Sequence, residues 1–94
     1  MNELWYLLDL SKYNDDDDIQ KSLKFFSSED KAVAYKNALV AEIKDDYQDQ
    51  HYYLEVHEYN HKRCAVTELT VYYPGSDDVK FEDHFTIGKV IPEE

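Results

Sequence analysis

The sequence predicts an α+β domain in which one helix covers one face of an antiparallel sheet of about five strands, in the order β-β-α-β-β-β. Three observations predict it. Several stretches alternate apolar and polar residues with the period of a strand. One stretch has the spacing of an amphipathic helix, and the last three strands follow one another through short turns. The 94 residues fit one domain, 1–94, with a single modest core.

The first part of the chain is predicted to form a hairpin of two strands. In ELWYLLDL (3–10) apolar residues occupy both odd and even positions. Because both faces of this strand are then largely apolar, we expect it to lie inside the sheet and not at an edge. SLKFF (22–26) is the second strand, and a long charged loop joins the two.

The stretch SSEDKAVAYKNALVAEIK (27–44) predicts the helix. Ser27 or Ser28 can cap its N-terminus, and Glu29 and Asp30 lie in the first turn, where the helix dipole favours anions. Apolar residues at spacings of three and four predict the buried stripe: Ala32, Tyr35, Ala38, Leu39 and Ile43.

Three strands are predicted in the second half, over 51–59, 65–73 and 79–91. The segments NHKR and PGSDD separate them, and the second of these has the Pro-Gly chemistry of a turn. The last strand alternates regularly except at Asp83, where an acid takes an inward position. Such an exception could mark a β-bulge.

Charge and composition exclude several classes of function. With 21 acidic residues against 10 basic ones, the net charge is −11, so direct binding to nucleic acid or to an anionic membrane is not expected. The single cysteine, Cys64, rules out an internal disulfide and favours a reducing compartment. With neither a signal peptide nor a membrane-spanning apolar run, we expect a cytoplasmic protein.

Metal, cofactor and catalytic sites are not predicted either. The run Asp15–Asp18 lacks the mid-loop glycine of a calcium-binding EF-hand, and the twelfth position of such a loop would be Phe26. His57 and His61 flank a strand end beside two cations, so we interpret them as surface histidines. Since no nucleophile, phosphate-binding or dinucleotide-binding motif is present, we expect no enzymatic activity and no cofactor.

Acidic residues interleaved with tyrosines are the most informative pattern. Carboxylates two apart on a strand lie about 6.5–7 Å apart on one face, comparable with the charge spacing of a nucleic-acid backbone. Tyrosines supply rigid anchors typical of interfaces. Acids at the C-terminal end of the predicted helix oppose its dipole and so cost stability. Because the cost brings no local gain, this placement indicates a functional site. The candidate partner-binding residues are Asp15, Asp16, Asp17, Asp18, Asp45, Asp46, Tyr47, Asp49, Tyr53, Glu55, Glu58, Tyr59, Asp77 and Asp78.

In size, charge and its Tyr/Asp/Glu-rich texture the chain resembles the small acidic inhibitors that bacteriophages and mobile elements encode, such as anti-CRISPR proteins and other nucleic-acid mimics. The resemblance implies a non-enzymatic inhibitor, a monomer or weak homodimer, that occupies a basic nucleic-acid-binding site on a Cas effector or nuclease. Two alternatives stay open. One is an immunity protein that neutralises a toxin nuclease, and the other is a small structural or adaptor protein whose acidic surface is only solvated.

Overall fold

The computed structural model describes residues 3–14, 18–48 and 50–91. Within these ranges the predicted α+β fold and element order are confirmed. The elements are β1 (Trp5–Tyr13), β2 (Gln20–Phe26), α1 (Glu29–Gln48), β3 (Tyr53–His61), β4 (Cys64–Tyr72) and β5 (Val79–Lys89).

The strands form one sheet in the order β2-β1-β5-β4-β3, and every neighbouring pair is antiparallel. The last strand, β5, inserts between β1 and β4, so that Ile87 is the partner of both Leu7 and Ala65. This insertion gives β1 a neighbour on each side, as its two apolar faces predicted. The two edges of the sheet are β2 and β3.

Helix α1 lies on one face of the sheet, and the core forms between them. Side chains from β1, β4 and β5 meet the helix there, and Leu7, Leu69, Val71 and Phe85 are fully buried. Each such side chain contributes about 1.5–3 kcal/mol through removal of apolar surface from water. The buried hydrophobic cluster is Leu7, Ala32, Val40, Leu69, Val71, Phe81, Phe85 and Ile87.

The helix begins at its predicted cap but ends later than predicted. The backbone N–H of Lys31 donates a hydrogen bond to Ser28 Oγ at 3.2 Å, which satisfies one of the unpaired amides of the first turn. The helix continues to Gln48, one turn beyond the predicted end at residue 44. Asp45 and Asp46 are therefore helical residues.

The buried stripe of the helix differs from the predicted one. Ala38 is exposed, while Lys36 and Val40 are buried. The Lys36 side chain is only 10% exposed, and its Nζ reaches Glu58 Oε1 at 3.5 Å on β3. A charged residue with a partner on a distant strand cannot be assigned to the buried face from helical spacing alone.

The prediction of a bulge at Asp83 is wrong. Asp83 keeps regular pairing on both sides of β5, and the irregularity in the sheet lies between Val71 and Tyr72. The Asp83 side chain instead points into the core, where only 4% of the residue is exposed. It lies beside the Asp9 carboxyl group of β1, whose hydrogen bond and charge act on it.

The other face of the sheet carries no helix in the part of the chain that the structure describes, and we call it the open face. Strand alternation and register assign its residues. They are Tyr6, Leu8, Leu10, Lys12, Ile19, Lys21, Leu23, Phe25, Tyr53, Glu55, His57, Tyr59, His61, Cys64, Val66, Glu68, Thr70, Tyr72, Glu82, His84, Thr86 and Gly88.

Candidate functional site

Helix α1, strands β1 and β5 and the residues next to β3 and β4 meet at one end of the sheet through aromatic side chains. The ring of Tyr47, in the last turn of α1, lies 6.1 Å from that of Phe81 at the start of β5. Tyr13, at the end of β1, lies 4.8 Å from the same ring. Tyr52, just before β3, lies 5.2 Å from Tyr47 and 5.8 Å from Tyr73 in the β4–β5 turn. This aromatic cluster fixes the helix end against the strand ends.

Aspartates distant in sequence gather at this end. Asp45 and Asp46 lie in the last turn of α1, Asp77 and Asp78 in the β4–β5 turn, and Asp18 just before β2, and all five are exposed. We call these five residues the acidic end. The C-terminus of α1 adds about half a negative charge at the same place. Asp15, Asp16, Asp17 and Asp49 lie outside the described residues.

Lysines accompany the aspartates. Lys44 precedes Asp45 on the helix, and Lys80 follows the β4–β5 turn with its Nζ 5.7 Å from the centre of the Tyr73 ring. A cation over an aromatic face is held by the ring quadrupole. Charges of both signs therefore lie at this end of the sheet. The carboxylates are exposed, and Lys80 lies over the Tyr73 ring.

Tyr47, predicted to bind a partner, makes internal contacts at this end of the sheet. Its ring is half-buried and packs on Phe81 and Tyr52. Burial, then the charge and hydrogen bond of Tyr13, with smaller effects of Tyr52 and Asp46, raise the pKa of Tyr47 to about 12. Its contacts position the acidic end and leave little of the ring for a partner.

Tyrosine hydroxyl groups bind the glutamates of the open face. Tyr59 Oη donates to Glu68 Oε1 at 2.8 Å, a bond that raises the pKa of Tyr59. Tyr72 and Tyr53 both donate to Glu55, at 3.4 and 3.5 Å. Burial first, and then the charge of Glu55, raise the pKa of Tyr72. The predicted tyrosine–acid pattern is thus a hydrogen-bonded network across two strands.

Glu58 is separated from the other candidates on β3. It faces the helix side, where its carboxylate accepts from Lys36 Nζ, while Tyr53, Glu55 and Tyr59 face the open side. The open-face carboxylates also do not repeat along one strand. Glu55 and Glu82 are both partners of Thr70 in the sheet, which places their backbones about 10 Å apart across the strands.

The described residues hold no group of three or more histidine, cysteine, aspartate or glutamate side chains placed to bind a metal ion. His57 and His61 are exposed, and His57 Nε2 lies 3.5 Å from Glu55 Oε2. Within the same ranges no helix is both long enough and apolar enough to cross a membrane.

Removing charge from the last turn of the helix is expected to stabilise the protein. The double variant Asp45→Asn/Asp46→Asn relieves repulsion with the helix dipole, and we expect a gain of about 0.3–1 kcal/mol per site at low salt. The matched variant Glu29→Gln/Asp30→Asn removes the same charge from the first turn and should destabilise by a similar amount. Urea unfolding followed by circular dichroism measures both. Equal shifts of the same sign would mean that net charge, and not the dipole, decides the effect.

Comparison of the chain with protein-family models, curated proteins and solved structures gives no match. The function is therefore inferred from the residues and their arrangement.

Proposed function

We propose that the protein is a non-enzymatic inhibitor whose acidic end occupies a basic nucleic-acid-binding site on another protein, such as a CRISPR effector or a nuclease. The observation that carries the proposal is the convergence of three acidic segments, separated in sequence, on one end of the sheet. Convergence at a tertiary site is not needed for solubility, which charges dispersed over the surface supply equally well.

Rigidity of this end supports a role in recognition. The aromatic cluster joins α1, β1 and β5 to the residue before β3 and the residue after β4. The aspartates of the helix and of the β4–β5 turn are therefore held in fixed positions relative to one another. A second observation agrees. The backbone N–H of Asp78 donates to Ser76 Oγ at 3.0 Å, and Tyr73 N–H donates to the Asp78 carbonyl oxygen at 3.0 Å. A preorganised charged surface loses less entropy on binding than a mobile one.

In such a complex the acidic end competes with nucleic acid for the positive charges of the partner. A nucleic-acid-binding groove lined by lysine and arginine attracts the acidic end over long range, which raises the association rate. Because the attraction is electrostatic, binding should weaken as salt rises.

Two variants that each remove three negative charges test the proposal. They are the acidic-end variant, Asp45→Asn/Asp46→Asn/Asp77→Asn, and the opposite-end variant, Glu3→Gln/Glu29→Gln/Asp30→Asn. Wild-type protein and both variants are immobilised and exposed to a bacterial lysate at about 50 mM salt, then eluted with a salt gradient. We expect wild type and the opposite-end variant to retain a basic nucleic-acid-binding protein that the acidic-end variant loses.

Excess duplex DNA in the lysate is the second arm of this experiment. DNA should prevent the capture if the acidic end binds where nucleic acid binds. A captured protein that DNA does not displace, or equal capture by both variants, contradicts the proposal. If wild-type protein captures nothing above the blank resin, the acidic surface is only solvated and the inhibitor function is wrong.

A further inference from the structure

Strand β2 turns two of its three apolar residues away from the core. On the helix side Phe26 packs against the core and Gln20, Ser22 and Lys24 are polar, while Leu23 and Phe25 face the open side. Leu23 and Phe25 are 52% and 55% exposed. A strand at the edge of a one-layer sheet ordinarily places polar residues on the solvated face. The opposite arrangement in β2 indicates that the open face is covered by something else.

The apolar surface extends beyond β2. Leu8 and Leu10 of β1 lie on the same face, paired with Leu23 and Lys21. Leu10 and Ile19 line a shallow cavity of about 200 Å³, and Ile19 is 62% exposed. A contiguous apolar patch that extends over two strands marks an interaction site more often than a solvated surface.

The size of the open face fits a dimer interface. Five strands about 4.8 Å apart and about 30 Å long cover roughly 700 Å², close to the roughly 800 Å² per partner of a standard interface. Pairing through the free edge of β2 would leave Leu23 and Phe25 in water. Lys21 and Lys24 on β2 also oppose edge pairing. Packing face to face is the arrangement that removes the apolar residues from solvent.

Charge on the open face is self-complementary. The β1–β2 half carries Lys12 and Lys21, and the β3–β4 half carries Glu55 and Glu68. A two-fold axis parallel to the strands places β2 and β1 of one copy over β3 and β4 of its partner. Each pair of lysines then approaches the glutamates of the other copy.

The same axis matches apolar side chains across the interface. The sheet register puts Leu8 level with Val66 and Leu23 level with Tyr59, and these pairs are brought face to face. We propose that a second copy of this chain covers the open face, giving a two-fold symmetric sandwich with both helices outside. This inference concerns a different surface from the acidic end and goes beyond the proposed inhibitor function.

Sedimentation equilibrium of the wild-type protein and three variants tests the dimer. Leu23→Asp puts a charge at the centre of the apolar half, and we expect it to raise the dimer Kd at least about tenfold. Ala34→Asp adds the same charge to the exposed side of α1, and it should change Kd by less than about twofold. Leu23→Thr is the substitute if Leu23→Asp fails to fold. Threonine suits a strand and adds no charge, and it should also weaken the dimer.

Charge reversal tests the orientation. The variants are Lys12→Glu/Lys21→Glu, which makes the face acidic, and Glu55→Lys/Glu68→Lys, which makes it basic. Each alone should be monomeric, and an equimolar mixture should form a heterodimer. A mixture that stays monomeric contradicts the arrangement. Wild-type protein that remains monomeric up to about 1 mM overturns the proposal, as does a dimer that Leu23→Asp and Leu23→Thr leave unchanged. Neither result bears on the capture experiment, which uses the acidic end.

Discussion

Replacing Asp83 with asparagine is expected to stabilise the protein at neutral and alkaline pH. Burial, followed by the hydrogen bond and the negative charge of Asp9, raises the pKa of Asp83 from 3.8 to about 9, and the backbone N–H of His84 opposes this rise only in part. Asp9 Oδ1 and Asp83 Oδ1 are both buried and have no hydrogen-bond partner among the described residues. An asparagine carries no charge and its amide can donate to Asp9.

The pH dependence has a defined sign. In the unfolded chain Asp83 is ionised above about pH 4, whereas in the folded chain it holds a proton up to about pH 9. Its contribution to stability is complete below pH 4 and is lost as pH rises through that window, by up to about 1.4 kcal/mol per pH unit. The stability of Asp83→Asn relative to wild type should therefore increase with each pH unit up to about pH 9, by up to about 1.4 kcal/mol per unit.

Urea unfolding between about pH 5 and pH 9 measures this difference. Glu82→Gln is the matched control, because residue 82 precedes Asp83 on β5 but lies on the open face. The control should keep the wild-type slope of stability against pH. Parallel profiles for Asp83→Asn and wild type would show that Asp83 is ionised in the folded protein.

Gly88→Ala is the second change for which we expect a large effect. A Cβ at residue 88 would lie 2.6 Å from Tyr6 Oη and 2.7 Å from two ring carbons. The Tyr6 ring crosses β5 at this glycine, and its hydroxyl group lies 3.0 Å from Cys64 Sγ. The variant must push the ring outward, with loss of that contact, and we expect a cost of about 1–3 kcal/mol.

Because the Tyr6 ring causes the loss of stability in Gly88→Ala, that loss should depend on the presence of Tyr6. In a Tyr6→Ala background, Gly88→Ala should cost less than about 0.5 kcal/mol, as the two residues share one contact. Displacement of the ring should also make the Cys64 thiol react faster with a thiol reagent. If Gly88→Ala costs as much without Tyr6 as with it, backbone conformation, and not the ring, requires the glycine.

The elements of the fold were predictable because their signals are local. Ser28 and the first-turn acids define the start of α1, and alternation defines the strands. The insertion of β5 between β1 and β4 could not be predicted, since it depends on pairing between the two ends of the chain. For the same reason Asp83 was recognisable as an exception to alternation, but its partner Asp9 was not.

Prediction of the site had the same limit. The acidic and tyrosine-rich segments were identifiable one by one, but only the tertiary structure brings Asp45 and Asp77 to one end and sends Glu58 to the helix side. The internal contacts of Tyr47 could not be predicted, because the rings that pack against it come from other elements. The apolar face of β2 was missed because SLKFF shows which residues alternate but not which side meets the helix.

Competition between this protein and nucleic acid for the captured partner is the most direct test of the acidic end as a nucleic-acid mimic. The affinity of the purified partner for labelled duplex DNA is measured by fluorescence anisotropy at increasing concentrations of wild-type protein and of the acidic-end variant. We predict that the apparent Kd for DNA rises linearly with wild-type concentration and that the acidic-end variant raises it far less. A complex in which partner, DNA and this protein are bound together, with the Kd for DNA unchanged, would contradict the account.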